Sequence, residues 1–466
     1  MKKILGTAFA LLLFPMILLG QPKVWVSGYY AGWMQGYLPP SAIDFGAVTH
    51  IMHFSVEPSG SNVSGTGNGI DAGAASAVIT PAHAAGVKVL ITCGGAGDDG
   101  AFLTATNSSN RAKFVSNLVK FAVDNGYDGI DIDWEPITSA SQFKLFIPQL
   151  RAAMDSAKTG MLLTIALLDG DDNIVAPVMS YFDQVNIMTY DISGAWEGWV
   201  TWHNSPISDG GFRFPSTGEL IPSADGFINT AISAGITKSK LGIGTDWYGY
   251  VWTGVSQPRQ GWTNAPDVTG NIPYYQLMNT YKNNTILWDS AAGAAYISIT
   301  SPSQKFVSLD NDQSLAAKAQ YIHTKGIGGI IIWELGGGYQ PSLPAGQRFH
   351  LMAALKQAFM TTSAVAAASV KPLNFQLAQN YPNPFNPTTN IGYSIAGTGE
   401  TGPATSEVRL VVYDILGREV SVLVNERQAP GNYEVRFDGR NLTTGVYFYR
   451  LTVGSTEFTR SMVLVK

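Results

Sequence analysis

Eight apolar, β-branched runs recur through the first three quarters of the chain with helical patterns between them, and this recurrence limits the fold more than any other feature. The runs read as strands near Val24–Tyr30, Val48–Val56, Val87–Cys93, Gly129–Glu135, Met161–Leu168, Gln184–Tyr190, Leu241–Tyr248 and Gly329–Glu334. Flanks such as Ala82–Gly86 and Arg111–Asn125 read as helix followed by turn. Eight βα units over about 335 residues predict an α/β fold, a (β/α)8 TIM barrel with insertions. A doubly wound open sheet competes, but the count of eight and the lack of a phosphate-binding glycine loop favour the barrel. Two connections exceed what a bare unit needs. Ile192 to Lys240 carries Trp196, Trp199, Trp202 and the run His203-Asn204-Ser205-Pro206. Tyr250 to Ser308, rich in Trp, Tyr, Asn and Pro, is expected to form a small inserted lobe. Loops after strand C-termini build the active sites of such barrels, so both insertions are expected to wall a cleft. Their aromatic rings suit stacking on sugars, with about half of them expected simply to pack the insertion.

One run stands apart from the others: Asp128-Gly129-Ile130-Asp131-Ile132-Asp133-Trp134-Glu135-Pro136. A strand has a side-chain period of two, so Asp131, Asp133 and Glu135 share one face while Ile130, Ile132 and Trp134 face helices on the other. Three carboxyls in line, each roughly 6–7 Å from the next, cannot all ionise cheaply. At least one should hold its proton near neutral pH, as a general acid for glycoside cleavage must. The competing reading is a calcium site or a buried carboxylate network without chemistry. An EF-hand is excluded, because the alternating Ile residues belong to a strand and no liganding loop follows.

The chain has 466 residues, enough for a large domain and a smaller one, and 45% hydrophobic with 14% charged residues marks it as globular. A net charge of −5 gives no basic footprint, so nucleic acid is excluded as a partner. A single cysteine, Cys93, allows no internal disulfide. Lys2 and Lys3 precede an apolar run from Ile4 to Leu19, interrupted by Gly6 and Pro15 and followed by small Gly20. That pattern is short for a membrane span and reads as a secretory signal peptide over residues 1–20, with no stable transmembrane segment in the mature protein. Gln21 stands where a lipoprotein would need cysteine.

The acidic strand matches the Asp-x-x-Asp-x-Asp-x-Glu signature of glycoside hydrolase family 18, and other strand ends carry the same resemblance. Met188-Thr189-Tyr190-Asp191 resembles the family's sixth-strand segment, where period two puts Asn186, Met188 and Tyr190 on one face. The resemblance implies that Tyr190 supports a reacting acetamido group, that Asp191 binds the sugar at the cleavage point and that Met188 floors the pocket. Trp333 on the last strand resembles the family's tryptophan beneath that sugar, Tyr29 its first-strand tyrosine, and Trp196 with Glu197 a leaving-side subsite. Thr92-Cys93-Gly94-Gly95 departs from the family's Ser-x-Gly-Gly but keeps a hydroxyl able to hold Asp131; the aromatic usual after the glycines is replaced by Ala96 and Gly97. Asp246-Trp247-Tyr248-Gly249-Tyr250 stands where many relatives have Pro-Phe-Tyr-Gly-Arg, so Tyr250 replaces a charged sugar contact.

Activity is implied by the resemblance too. It is that of a secreted chitinase acting on chitin or N-acetylglucosamine oligosaccharides, with retention and with the substrate's own acetamido group as nucleophile. Glu135 is then the general acid and base, Asp133 accepts the acetamido N–H, and Asp131 shares a proton with Asp133; no metal or cofactor is implied. An endo-β-N-acetylglucosaminidase acting on glycoprotein glycans is the second enzyme reading. A non-catalytic chitin-binding lectin is the third, although such relatives typically lack the acid that Glu135 supplies.

From Thr361 to Pro372 the chain is rich in Ser, Ala and Val without amphipathic pattern, a linker expected over residues 359–374 between a barrel at 21–358 and a final domain at 375–466. The clearest strands beyond it, Val408–Ile415, Gly431–Phe437, Gly445–Val453 and Glu457–Leu464, predict a small all-β, Ig-like sandwich. Asn380-Tyr381-Pro382-Asn383-Pro384-Phe385-Asn386-Pro387, Val412-Tyr413-Asp414-Ile415-Leu416-Gly417-Arg418-Glu419-Val420 and Gly445-Val446-Tyr447-Phe448-Tyr449 resemble the C-terminal sorting domain of the type IX secretion system. The domain has no tryptophan, which counts against the alternative of a carbohydrate-binding module. The resemblance implies that the secretion machinery is a partner, with export through the periplasm and outer membrane of a Gram-negative bacterium.

Overall fold

The computed structural model describes residues 24–360, 376–377, 380, 383–395, 405–429, 431–454 and 456–466, which fall into two units divided between Met360 and Thr361. The expected signal peptide lies outside the described residues, as does the expected linker from residue 361 onward. Phe359 and Met360, which the sequence reading gives to the linker, finish the helix His350–Phe359. Among the described residues no helix is long and apolar enough to cross a membrane.

The first unit is a closed barrel of eight parallel strands: β1 (Trp25–Ala31), β2 (His50–Ser59), β3 (Lys88–Ala96), β4 (Gly129–Glu135), β5 (Leu162–Leu167), β6 (Gln184–Ile187), β7 (Leu241–Asp246) and β8 (Gly329–Trp333). Each strand pairs with its successor in sequence, except that the lobe described below intervenes between β7 and β8 along the chain. Closure comes from β1, which pairs with β2 from Ser27↔His50 and with β8 from Trp25↔Gly329. Alternation along β4 sets its two faces. Ile130, Ile132 and Trp134 point outward into the helix layer, where Trp134 stacks on Phe102 with ring centroids 4.6 Å apart. Full burial of each isoleucine stabilises the unit by about 1.5–3 kcal/mol. Helix starts are fixed by short polar side chains: Asp71 accepts from the Ala74 N–H, Ser139 from that of Gln142, and Asn311 forms a capping box with Ser314.

Two glycines position the site. Gly94 on β3 has φ +103°, and a Cβ there would meet the Asp133 carbonyl oxygen at 2.2 Å. A Cβ at Gly244 would strike the Tyr190 ring at 2.6 Å, so this gap on β7 is what seats that tyrosine.

Two expected strands end early. Past Ile187 the Thr189 side chain takes over from the backbone, its hydroxyl bonded to both the N–H and the carbonyl of Gly244. The seventh run breaks at Trp247, whose N–H donates to the Trp333 carbonyl at 2.8 Å, and Tyr248 opens a new strand. That strand, Tyr248–Thr253, belongs to the inserted lobe. Its antiparallel sheet runs Asp267–Pro273, Tyr248–Thr253, Lys305–Leu309, Ala294–Ile299, Ile286–Asp289, with the helix Tyr274–Tyr281 beside it.

The second unit is all β. Ser406–Tyr413 lies between Glu419–Gln428 and Gly445–Val453, with Thr456–Leu464 at one edge, and Thr388–Ile395 joins Gln376–Leu377 and Gly431–Asp438 in a second sheet. Inward residues such as Ile391, Leu410, Val412, Tyr449 and Leu451 form its core. Ile415, expected at a strand end, is exposed in the turn before Glu419–Gln428.

Candidate active site

The inward face of β4 meets the C-terminal mouth of the barrel, and its three carboxyls sit in three different environments. Asp131 is deepest and fully buried. Its Oδ2 accepts from the Tyr29 hydroxyl at 2.9 Å and Thr92 Oγ1 at 3.1 Å, and its Oδ1 accepts from Thr164 Oγ1 at 2.5 Å. Burial pushes its carboxyl up to about 6, against the pull of those three hydroxyls. Its oxygens are occupied by O–H donors, the arrangement of a positioned carboxylate and not of an open calcium cage.

Asp133 is also buried, and its Oδ1 has no N–H or O–H donor in reach. The group beside it is the Glu135 carboxyl, with which it forms a hydrogen bond. Burial raises Asp133 well above the usual carboxylate range, and the Glu135 charge raises it further. Glu135 is raised as well, by burial, with the bond to Asp133 working in the opposite direction. Two adjacent carboxyls cannot both ionise in so dry a place, so the pair carries one proton between them. The family resemblance pairs Asp133 with Asp131 instead; here Asp131 is satisfied by hydroxyls and Asp133 turns towards the cleft.

Around the pair, β6 and its extension contribute Met188 and Tyr190, both buried. The Tyr190 hydroxyl is raised well above the ordinary tyrosine value, by burial first and then by the Asp133 charge, so it stays an O–H donor. Asp191 follows with φ +57°, a left-handed conformation that aspartate tolerates better than most residues. Its Oδ1 accepts from the Tyr250 hydroxyl at 2.8 Å. Tyr250 thus holds the Asp191 carboxylate, at the position where the resemblance implies a charged contact is lost. Trp333 closes the opposite wall, edge-on to Tyr29 at 5.4 Å and to Phe54 at 4.7 Å between centroids.

These side chains line a cleft of roughly 500 Å³ into which Asp133, Glu135, Met188, Tyr190, Asp191 and Trp333 all face. Tyr29 lines it too. Trp196 is not among the lining residues: its ring is half exposed and packs edge-on against Trp199 at 4.5 Å. Trp199 leans on Phe214, and Trp202 is fully buried with its indole N–H on the Pro222 carbonyl, so those two pack the insertion. Sequence reasoning missed Phe54, Trp33 and Thr164. The threonine had a faint signal, a lone hydroxyl inside the apolar run Leu162–Leu167; the two aromatics had none, Trp33 lying just past β1 and Phe54 in the middle of β2.

Residues 26–338 match the family model described as Glycosyl hydrolases family 18, and residues 379–466 match that of a Secretion system C-terminal sorting domain. Similar curated proteins include Chitinase A1 of Niallia circulans, 28% identical over 55% of this chain and 41% of that protein. Chitinase 1 of Aphanocladium album is also 28% identical, over 53% of this chain and 61% of its own length. The chain therefore spans less than two thirds of either relative. Among solved structures, the Ostrinia furnacalis Group IV chitinase in complex with allosamidin superposes with a TM-score of 0.62 at 21% identity, covering 72% of this chain and 99% of that one. At that identity the likeness concerns the fold.

Proposed function

This chain belongs to glycosyl hydrolase family 18, and from that premise we propose that it is a secreted chitinase that cleaves β-1,4-linked N-acetylglucosamine polymers with retention and with the substrate's own acetamido group as nucleophile. The observation that carries the reading is the Asp133–Glu135 pair, holding one proton at the wall of an aromatic cleft with the Tyr190 hydroxyl nearby.

Glu135 gives that proton to the glycosidic oxygen as the bond to the anomeric carbon breaks. The acetamido carbonyl oxygen attacks the same carbon from the other side, forming an oxazolinium ion. Asp133 becomes the anionic acceptor for the acetamido N–H and stabilises the developing positive charge. Tyr190 holds the acetamido group in line for attack, and Asp191 binds the same sugar over Trp333 and Met188. Glu135, now ionised, takes a proton from water as the water opens the oxazolinium ring, which restores the configuration and the pair. Asp131, gripped by Tyr29, Thr92 and Thr164, fixes the strand beneath Asp133. A sugar lacking the 2-acetamido group has no nucleophile and should not be cleaved.

Product release from N-acetylglucosamine oligomers by the full chain, beside Glu135→Gln, tests this directly. Cleavage abolished in the variant supports the assignment. Oligomers bound but uncleaved by the unaltered chain, or cleavage confined to N-glycans, would displace it.

Residues 379–466 support export. We infer the type IX route, across the outer membrane of a Gram-negative cell to its surface or medium. Removing those residues should leave the enzyme inside the cell envelope, and undiminished activity in the medium would refute the route.

A further inference from the structure

The run His203-Asn204-Ser205-Pro206 lies in the long connection after β6 and is not among the residues lining the cleft, yet Asn204 and Ser205 are buried against the two peptide groups that flank Tyr190. The Asp191 N–H donates to Asn204 Oδ1 at 3.0 Å, and Ser205 Oγ donates to the Thr189 carbonyl at 2.7 Å. The pair is itself anchored from behind. Asn204 Nδ2 donates to Asp246 Oδ2 at 2.5 Å, and the Asn204 N–H donates to Ser308 Oγ at 2.7 Å. Lys318 Nζ donates to Ser205 Oγ at 2.6 Å and is ion-paired with Asp310, which also accepts from Thr245 Oγ1 at 2.6 Å. Asp246, Asp310 and Lys318 are all buried.

We propose that Asn204 and Ser205, held by Asp246 and the Lys318–Asp310 ion pair, form a clamp in which Asn204 positions Asp191 and Ser205 positions Tyr190 for the reaction. The proposal rests on the chitinase reading for the roles of those two residues. Three observations join in it. Asp191 sits at φ +57°, a conformation that costs energy and persists only where its surroundings over-determine it. Its N–H and its carboxylate are each held, by Asn204 and by Tyr250. Both supports trace to the strand-seven segment that departs from the family pattern, since Asp246 stands in the usual proline position and Tyr250 in that of the arginine. The two departures are thus one change: the segment has given up a charged sugar contact and taken up the fixing of Asp191 from two sides.

The chemistry of Asp246 gives the proposal a sharp signature. Among the described residues its Oδ1 has no N–H or O–H donor in reach, and its carboxyl is hydrogen-bonded to that of Asp310. The ionised member is Asp310, facing Lys318, so Asp246 keeps the proton and donates it. Asparagine copies a protonated aspartate, with its amide N–H donating to Asp310 and its carbonyl accepting from Asn204.

The test is a double-mutant cycle in the full chain, with kcat and KM measured on N-acetylglucosamine oligomers and melting temperature alongside. Asn204→Ala should lower kcat/KM about 10- to 100-fold in the unaltered background, the range that misplacing a reacting group by about 1 Å produces. In an Asp191→Ala background the same change should cost less than about 3-fold, because the residue it positions is gone. Asp246→Asn should stay within about 3-fold of the unaltered enzyme, while Asp246→Ala should resemble Asn204→Ala. An equal loss in both backgrounds would overturn the clamp and leave Asn204 a general stability residue. Near-equal losses for Asp246→Asn and Asp246→Ala would likewise overturn it. If the unaltered chain binds oligomers without cleaving them, the chitinase reading falls, and the same cycle read as oligomer affinity still decides the clamp.

Discussion

The barrel holds two acid pairs, Asp133–Glu135 and Asp246–Asp310, and the difference between them separates the pair proposed to work from one that supports. In both, burial and a neighbouring carboxyl push one aspartate well above the carboxylate range. The second pair is sealed and has a cation. Burial pushes Asp310 up, but Lys318 and the hydrogen bonds outweigh it and the net shift is downward, so the proton is fixed on Asp246. Among the described residues the first pair has no cation in contact; it opens on the cleft, and both its members are raised. A proton without a settled owner can be lent to a substrate. One locked beside an ammonium group serves as structure.

The largest expected effect breaks the working pair: Glu135→Gln and Asp133→Asn should each cost kcat on the order of 10²–10⁴-fold with the melting temperature little changed. The same Asp→Asn exchange at Asp246 is expected to be almost silent, so comparable losses at positions 133 and 246 would erase the distinction between the pairs. Next comes the cation. Lys318→Met leaves Asp310 buried without its counter-charge and should destabilise the chain by about 3–5 kcal/mol, read from denaturant unfolding, whereas no substitution around Asp133 removes a cation at all.

A smaller effect concerns Glu334, a partly buried acid next to Trp333 at the end of the last barrel strand. Burial pushes it from 4.5 up to about 7, partly offset by the Gly336 and Gly337 N–H groups. A raised folded-state value means its contribution to stability is fully present below about 4.5 and is lost as pH rises through about 7. Melting temperature measured across that window should fall for the unaltered chain and fall less for Glu334→Gln. The smallest change expected is Trp196→Ala, within about 3-fold in kcat/KM on short oligomers, since the ring lies outside the cleft; a loss as large as that of Asn204→Ala would restore it as a subsite residue.

All eight barrel strands were legible because each is a short apolar run bounded by turn or helix signals. The ends of β6 and β7 were not, because Thr189 and Trp247 complete the pairing through a side chain and through a single bond to Trp333, which leave no mark in period. In the second unit Glu419–Gln428 went unread: the alternation of Val420, Val422 and Val424 stops at the polar run Asn425–Gln428, and Thr388–Ile395 is interrupted by Asn390 and Gly392. The acidic face of β4 was plain from spacing, yet spacing gives backbone positions only. It could not say that Asp133 turns to Glu135 while three hydroxyls, one of them Thr164, take Asp131. Asn204 was visible as a polar run without a role because its contacts to Asp191, Asp246 and Ser308 span 13, 42 and 104 residues, and only folding brings them together.

Barrel closure between Trp25–Ala31 and Gly329–Trp333 also governs timing. The first of these strands to be synthesised cannot be flanked on both sides until roughly 300 further residues exist, about 15–60 s of translation at ordinary rates. Tyr29, a donor to Asp131, rides on that first strand, and Trp333 ends the last. A chain interrupted between Glu135 and Trp333 carries the acids without the assembled cleft, so hydrolysis reports that the whole barrel has been delivered.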